Sequence, residues 1–537
     1  EGGQEKPDEE RKEIFHNVVL APDEIDRLLE PKVFTNFKRI DKDGEHKLDG
    51  FRRDPEINRK RDLPEDTITD NIIIKGNNLL VLHSLLKEFR EKIKLIYIDP
   101  PYNTGNDEFK YNDNFKHSTW LTFIKNRLEV AKELLKEDGS IWINIDDNEL
   151  AYLQVILDEI MDRDNYICLV TVQRSASTGH KSINPGPINT ADYIVGYAKD
   201  KKKWKYNQQY VIRDYDRAYS LFIENYEEEP DKWKFIPVNK VLENYKCSID
   251  ELIERYPERI VRFAEPNYSG VSKETRRLID LSRKHPDRIF IQKRDGYPDI
   301  YLKGGQRILF YKNKIKRING KTMTVEALTN IWIDIPFQGI AKEGGVVLRK
   351  GKKPEKLLRR IIEMNTDMND IVLDFFMGTG TTCAVAHKMG RRYIGVEQLN
   401  YGENSAVVRL KNVIGGDQTG ISKEIGWKGG GDFVYMELMK LNEAFIEKIE
   451  DAKTTTELLS IWEDMKHNGF LSYRVDPRLF DNNTEEFKIF NLNEQKQLLL
   501  EVLDYNELYV NYSEIEDDIY HIDEDVKILN KEFYRGN

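Results

Sequence analysis

The chain has 537 residues, 39% of them hydrophobic, enough for about three or four domains with full cores. Three scattered cysteines (Cys168, Cys247, Cys383) and nine histidines provide neither a disulfide framework nor a zinc spacing, so a reducing cytoplasm is expected. No apolar run approaches a membrane span and no signal-peptide pattern is visible. The net charge of −11 argues against a nucleic-acid binder, but its distribution does not: residues 201–330 sum to +9, 273–321 alone to +10, and 431–537 to −14. A local basic surface sets phosphate affinity, and the global sum does not.

Residues 1–66 are charged and punctuated by proline, with one helical stretch near 22–29, and read as an N-terminal arm packing on a partner. Residues 71–75 (Asn-Ile-Ile-Ile-Lys) form a short buried strand ended by Gly76-Asn77-Asn78. An amphipathic helix follows through Leu79, Leu80, Leu82, Leu85 and Leu86. The apolar run 93–98 is a strand leading into Asp99-Pro100-Pro101-Tyr102. A carboxylate there can accept a hydrogen from an exocyclic amine. Proline lacks an N–H, so its carbonyl can face the same amine without a competing donor. A tyrosine ring offers a flat face to a base pulled out of its stack. The bland alternative is a turn.

A polar loop to about residue 116 precedes a helix over 120–135 and a strand over 140–145. Asp146-Asp147-Asn148-Glu149 lacks a third metal ligand and reads as helix capping and loop hydrogen bonding. A strand over 166–172 leads into residues 173–189, rich in Ser, Gly and Pro and carrying Arg174, His180 and Lys181. This loop is either a DNA clamp or a simple connection. A strand at 193–197 closes the half-sheet.

Residues 201–335 then interrupt the sheet pattern, mixing Trp204, Tyr206, Tyr210, Trp233 and Phe235 with lysines and arginines, around a helix near 249–256. Lys312, Lys314, Lys316 and Arg317 are the best phosphate-contact candidates, with a solvated lysine face as the alternative. Lys353-Pro354 opens a helix. The apolar strand 371–374 breaks into Gly378-Thr379-Gly380, and a helix runs from Thr381 to about 389. The next strand ends at Glu397, 23 residues after Asp374, where an acidic group binds ribose hydroxyls. The third glycine of a dinucleotide fingerprint is missing, which argues against NAD. Beyond 440 the chain has helical patterns and the acidic run 514–518, packing on another subunit or solvated.

Asp99-Pro100-Pro101-Tyr102-Asn103-Thr104-Gly105, followed much later by Asp374-Phe375-Phe376-Met377-Gly378-Thr379-Gly380-Thr381-Thr382, resembles the β-class adenine-N6 DNA methyltransferases. Segments 106–115 and 427–438 are similar to stretches common in modification subunits of Type III restriction systems, and the likeness covers roughly residues 70–200 and 325–440. The resemblance implies an α/β, Rossmann-like S-adenosylmethionine-dependent methyltransferase fold, circularly permuted so that the catalytic half precedes the cofactor half. It divides the chain into an arm (1–66), a catalytic half (67–200), a target-recognition domain (201–335), a cofactor half (336–425) and an α-rich C-terminal interaction domain (426–537).

The resemblance assigns Asp99, Pro100, Pro101 and Tyr102 to catalysis. It assigns Asn77, Lys353, Pro354, Asp374, Phe375, Phe376, Gly378, Gly380, Thr381 and Glu397 to S-adenosyl-L-methionine. Lys353-Pro354 would lie at the methionine end and Asn77 near the adenine, with a helix N-cap equally open for Asn77. Arg174, Lys181, Lys312, Lys314, Lys316 and Arg317 would face double-stranded DNA. No metal is implied. A homodimer, a restriction (helicase/nuclease) partner and a bacterial, nucleoid-associated cytoplasmic location are.

In the implied reaction Asp99 Oδ and the Pro100 carbonyl accept the two N6 hydrogens of a flipped adenine, and the methyl group moves in a single displacement without a covalent enzyme intermediate. Flipping costs a few kcal/mol, partly offset by stacking on Tyr102. Cytosine-N4 enzymes tend to carry Ser in place of Asp99 and glutamine-modifying enzymes Asn, so Asp99 and the basic insertion favour adenine. A stand-alone methyltransferase, or a recognition subunit that mainly guides a restriction partner, are the alternatives. No Gly-X4-Gly-Lys-Ser/Thr loop is present, and Pro298-Asp299 with Lys303 lacks the second acidic residue of a nuclease.

Overall fold

The computed structural model describes residues 27–104, 116–175, 187–318, 320–348, 351–472 and 475–535. These form two compact units, one made of the chain up to Asn207 together with everything from Asn330 onward, the other of Gln208–Thr329.

The first unit begins with β1 (Phe34–Asp41) and β2 (Gly44–Lys47), then β3 (Ile72–Lys75), β4 (Ile93–Ile98), β5 (Leu135–Ile145), β6 (Tyr166–Gln173) and β7 (Ala191–Ala198). The second carries β8 (Tyr210–Ile212), β9 (Leu221–Ile223), β10 (Phe235–Pro237), β11 (Ile260–Ala264), β12 (Ile289–Gln292), β13 (Ile300–Lys303), β14 (Gln306–Phe310), β15 (Ile315–Ile318) and β16 (Lys321–Ala327). The chain returns to the first unit with β17 (Ile331–Trp332), β18 (Ile371–Asp374), β19 (Arg392–Glu397) and β20 (Phe433–Leu438).

The first unit is built on one 11-stranded sheet in the order β17-β6-β7-β5-β4-β18-β19-β3-β20-β1-β2. β4 and β18 are buried along their whole length, as expected of parallel strands covered by helices on both faces. They run parallel side by side, Val372 beside Leu95 and Leu373 beside Ile96. The family resemblance implies that the ends of the 93–98 and 371–374 strands lie side by side, and this pairing agrees. From β4 the chain continues outward to β5 and from β18 it continues the opposite way to β19, so a crevice opens at the carboxyl ends of this pair. Asp99 and Asp374 stand at its two lips.

Three expectations need correction. Part of the supposed N-terminal arm is sheet: β1 pairs antiparallel with β20, Phe34 beside Leu438 and Ile40 beside Phe433. Phe34, Phe37 and Phe51 join the main core. The apolar residues of β1 point inward through a register shift while its charged residues are only partly covered, Arg39 pairing with the buried Asp70, so charged composition hid a strand. The last helix of the tail, expected on another subunit or in solvent, packs in part on its own sheet. The helix Glu524–Tyr534 places Phe533 5.0 Å from Phe34, and Asn530 bonds both the N–H (2.8 Å) and the carbonyl (2.7 Å) of Phe34. Finally, the middle unit is narrower than 201–335. Trp204 Nε1 donates to Asn365 Oδ1 (3.0 Å), Asn207 Nδ2 donates to the Glu363 carbonyl (3.1 Å), and Ile331–Trp332 pair with Thr171–Val172, so these flanks belong to the first unit.

The second unit has an antiparallel sheet, β10-β9-β11-β14-β13-β12, and a small one, β15-β16-β8. Its interior is divided among separate clusters, the largest around Tyr219, Phe222, Leu252 and Tyr311. In the first unit, the helices after β20 bury Phe445, Ile449, Leu458, Trp462 and Leu499 in a cluster of their own. No helix of the described residues is long and apolar enough to cross a membrane.

Candidate active site

β4 delivers Asp99-Pro100-Pro101-Tyr102 to the crevice, and the strand's burial fixes where those residues emerge. Tyr102 Oη donates to Asp99 Oδ1 at 2.8 Å and accepts from Asn144 Nδ2. Pro101 is held by Trp120, whose Nε1 donates to its carbonyl at 2.8 Å. Lys353 Nζ lies 2.8 Å from Asp99 Oδ2 and 5.0 Å from the centre of the Tyr102 ring. Burial pushes the Asp99 carboxyl above the usual range, while Lys353 and the Tyr102 hydroxyl oppose that shift. Lys353, read from sequence as a methionine-end contact, is here the counter-ion of Asp99. Pro354 caps the helix Glu355–Asn365 and is not its first residue.

β18 delivers the second element. Asp374 Oδ1 accepts from the Phe376 N–H (3.0 Å) and Oδ2 from the Thr382 hydroxyl (2.6 Å), so this carboxyl shapes the turn from inside. Burial, helped by Asp99 and Glu397, pushes it up to about 7. Gly378 and Gly380 take φ of +55° and +76°, conformations that cost other residues. At Gly380 a side chain would also meet Ala406 Cβ at 2.7 Å, whereas at Gly378 a Cβ would find open space. That open space belongs to a cavity of about 300 Å³ lined by Gly378, Glu397, Tyr401, Lys75, Ile74 and Tyr435 among others. Glu397, at the end of β19, accepts from the N–H groups of Gly378 (2.7 Å) and Leu399 (2.8 Å), and burial raises its pKa.

The remaining cofactor candidates divide. Asn77 is the cap of the helix Asn78–Phe89, its Oδ1 accepting from Leu79 N–H at 3.0 Å, and the cavity wall nearby is Ile74 and Lys75. Phe375 turns into the core, and Phe376 packs 5.9 Å from Phe123. The Thr381 hydroxyl accepts from Arg409 at 2.6 Å, and Arg409 also grips Glu355 (2.8 Å), which in turn holds Lys388 (2.8 Å). All three charged side chains are fully buried. Burial alone would raise Glu355, but Arg409 and Lys388 outweigh it and hold the carboxyl below its usual range. This network, and the cavity residues Lys75, Tyr401 and Tyr435, escaped sequence reading because their partners lie far off in the chain. Tyr401 was the nearest to legible, four residues after Glu397.

The acidic run after β5 makes the loop bonds expected of it but no side-chain cap on the helix Leu150–Leu157. Asp146 takes the backbone and side-chain N–H groups of Asn148, and Asp147 takes Asn189 Nδ2 at 2.6 Å.

The DNA candidates fare unevenly. Arg174 is committed to Asp192 at 3.2 Å, and Lys181 lies outside the described residues. Within the second unit, Lys314 is paired with Asp216 at 2.8 Å. Lys312 and Lys316 are exposed, lying over the rings of Phe310 and Tyr210. Lys316 and Arg317 follow one another along β15 and so point to opposite faces. The four charges therefore do not form one surface, which the run in sequence had suggested.

Comparison with known proteins follows the same lines. The DNA methylase family matches residues 93–406. The "Probable type III restriction-modification enzyme HindVI Mod subunit" of Haemophilus influenzae is 38% identical over 98% of this chain and 74% of its own length. The EcoPI Mod subunit of Escherichia phage P1 is 30% identical over 60% of this chain, which spans 56% of that relative. Among solved structures, PvuII DNA methyltransferase (cytosine-N4-specific) aligns at a TM-score of 0.33 with 14% identity, over 66% of this chain and 90% of its own. The chain belongs to the DNA methylase family, among the modification subunits of Type III restriction-modification systems.

Proposed function

We propose that this chain methylates N6 of a flipped adenine at a specific site in double-stranded DNA, as the modification and recognition subunit of a Type III system. The reading rests above all on one observation, that Asp99 and the glycine turn after Asp374 leave adjacent parallel strands into one crevice. S-adenosyl-L-methionine is the cofactor, and when bound it supplies an electrophilic methyl group. The 300 Å³ cavity beside Gly378 and the buried Glu397 carboxyl suit its nucleoside end. Asp374 and Thr381 set the turn, Phe376 flanks it, and Lys353, just before Pro354, pairs with Asp99.

The amine is activated by acceptors: Asp99 Oδ and the Pro100 carbonyl take its two hydrogens, concentrating electron density on nitrogen as it attacks. The ionised carboxylate is the stronger acceptor, and Lys353 at 2.8 Å favours the ionised form. Catalysis is then positioning plus electrostatic stabilisation of the developing ammonium. Tyr102, its hydroxyl held from two sides, presents a ring for stacking. In this reading the unit Gln208–Thr329 recognises the target, a second copy and a restriction (helicase/nuclease) subunit complete the assembly, and the complex works on DNA in the bacterial cytoplasm.

The test is expression of the parent and of Asp99→Asn in a bacterium lacking adenine methylation, followed by sequencing for modified bases. N6-methyladenine at one recurring motif in the parent, and none with Asp99→Asn, is expected. Methylation at cytosine N4, or activity of Asp99→Asn within about tenfold of the parent, overturns the assignment.

A further inference from the structure

Glu149 stands at the start of the helix Leu150–Leu157, where an acidic residue would be expected to cap the helix, yet its side chain makes no cap bond. It is fully buried. Its Oε1 accepts from Asn103 Nδ2 at 2.6 Å and lies within hydrogen-bond distance of His117 Nδ1 at 2.7 Å. Its Oε2 is buried and has no hydrogen-bond partner among the described residues. Asn103 directly follows Tyr102 and is held at φ +60°, a left-handed conformation that Asn tolerates better than most residues. His117 opens the helix His117–Leu134, and its ring lies 4.9 Å from that of Tyr152. Three residues further on, Trp120 donates to the Pro101 carbonyl.

From this geometry we infer that Glu149 is the positioning residue of the catalytic tetrapeptide, one carboxylate oxygen tying the exit of Tyr102 to the start of the helix whose Trp120 holds Pro101. The inference rests on the proposed function. A buried carboxylate is costly unless its bonds are needed, and this one forgoes its own helix to make them. With Trp120 holding Pro101 from one side and Glu149 holding Asn103 from the other, the Tyr102 ring and the Pro100 carbonyl are set before a base arrives. Such preorganisation matters because a displacement of about 1 Å at a reacting group can cost on the order of 100-fold in rate.

The test compares Glu149→Leu with Glu149→Gln in the full chain. Glutamine keeps the oxygen that accepts both bonds and changes only the atom that has no partner to lose. The leucine variant is expected to lose about 100-fold in kcat. Its affinity for S-adenosylhomocysteine, read by calorimetry, should stay within about twofold of the parent, since the cavity is lined by other strands. Glutamine should recover kcat to within about threefold of the parent. Backbone hydrogen exchange at residues 102–104 should quicken in the leucine variant alone. A leucine variant with parental kcat and exchange, a glutamine variant as impaired as leucine, or equal losses of kcat and cofactor affinity each overturn the inference. A parent that methylates nothing would instead overturn the function, and the exchange measurement would still decide the tie.

Discussion

Glu355→Gln removes the one negative charge held between Lys388 and Arg409. The carboxyl accepts from Lys388 Nζ at 3.1 and 2.8 Å, from Arg409 Nη2 at 2.8 Å and from the Ile421 N–H at 3.1 Å, and no part of the three side chains reaches solvent. An amide keeps the shape but turns a donor toward two cations. Stranding one side of a buried ion pair costs about 3–5 kcal/mol, a large share of the roughly 5–15 kcal/mol that holds a domain together. Lys388 retains Asp417 at 3.5 Å and Arg409 retains Thr381 at 2.6 Å, so the low end is expected, about 3 kcal/mol. Urea unfolding read by tryptophan fluorescence measures the loss. Adding Lys388→Met to Glu355→Gln removes a stranded cation and should recover about 1 kcal/mol or more, a coupling that independent sites do not show. Because Arg409 also holds Thr381 below the glycine turn, the single variant should weaken cofactor binding as well. A loss under about 1 kcal/mol, the scale of an exposed pair, with no recovery in the double variant, refutes the reasoning.

Asp374, pushed up to about 7 by burial, binds its proton more tightly folded than at the unfolded value of about 3.9. Its stabilising contribution is therefore fully present at low pH and is lost as pH rises through this window. Asp374→Asn cannot titrate, so the difference in unfolding free energy between parent and variant should drift between about pH 4 and 7 and level off beyond; a constant difference rules Asp374 out. Gly380→Ala meets Ala406 and should lose stability beyond the left-handed cost of about 1–2 kcal/mol that both variants carry, while Gly378→Ala puts its methyl into the cofactor cavity and should lose cofactor affinity. Equal stability losses, measured by denaturation, would contradict the packing argument. In salt titrations of a labelled duplex, only one of Lys316→Ala and Arg317→Ala, which lie on opposite faces of β15, should reduce the slope of log K by about one, and Lys314→Ala should leave it unchanged because its ammonium is spent on Asp216. A slope change confined to Lys314→Ala would reverse that assignment.

What the sequence determined by itself was whatever depends on a few contiguous residues. The strand 93–98 could be read because its residues are apolar throughout, and Asp99-Pro100-Pro101-Tyr102 because its chemistry is carried by neighbours. The glycine turn was legible because φ values of +55° and +76° demand glycine. The pairing of β4 with β18 followed from the family resemblance that those local motifs carry, though some 275 residues separate them. Tertiary structure alone decided the rest. It placed Lys353 on Asp99, tied Asn103 and His117 to one oxygen of Glu149, and buried Glu355 between Lys388 and Arg409. It turned a charged arm into β1 and folded the acidic tail onto it, and it spent Lys314 on Asp216. The physical reason is common to all of these. A charge or an aromatic ring in sequence does not say which distant group will neutralise or cover it, and the partner is chosen only when the chain's burial brings the two within a hydrogen bond's reach.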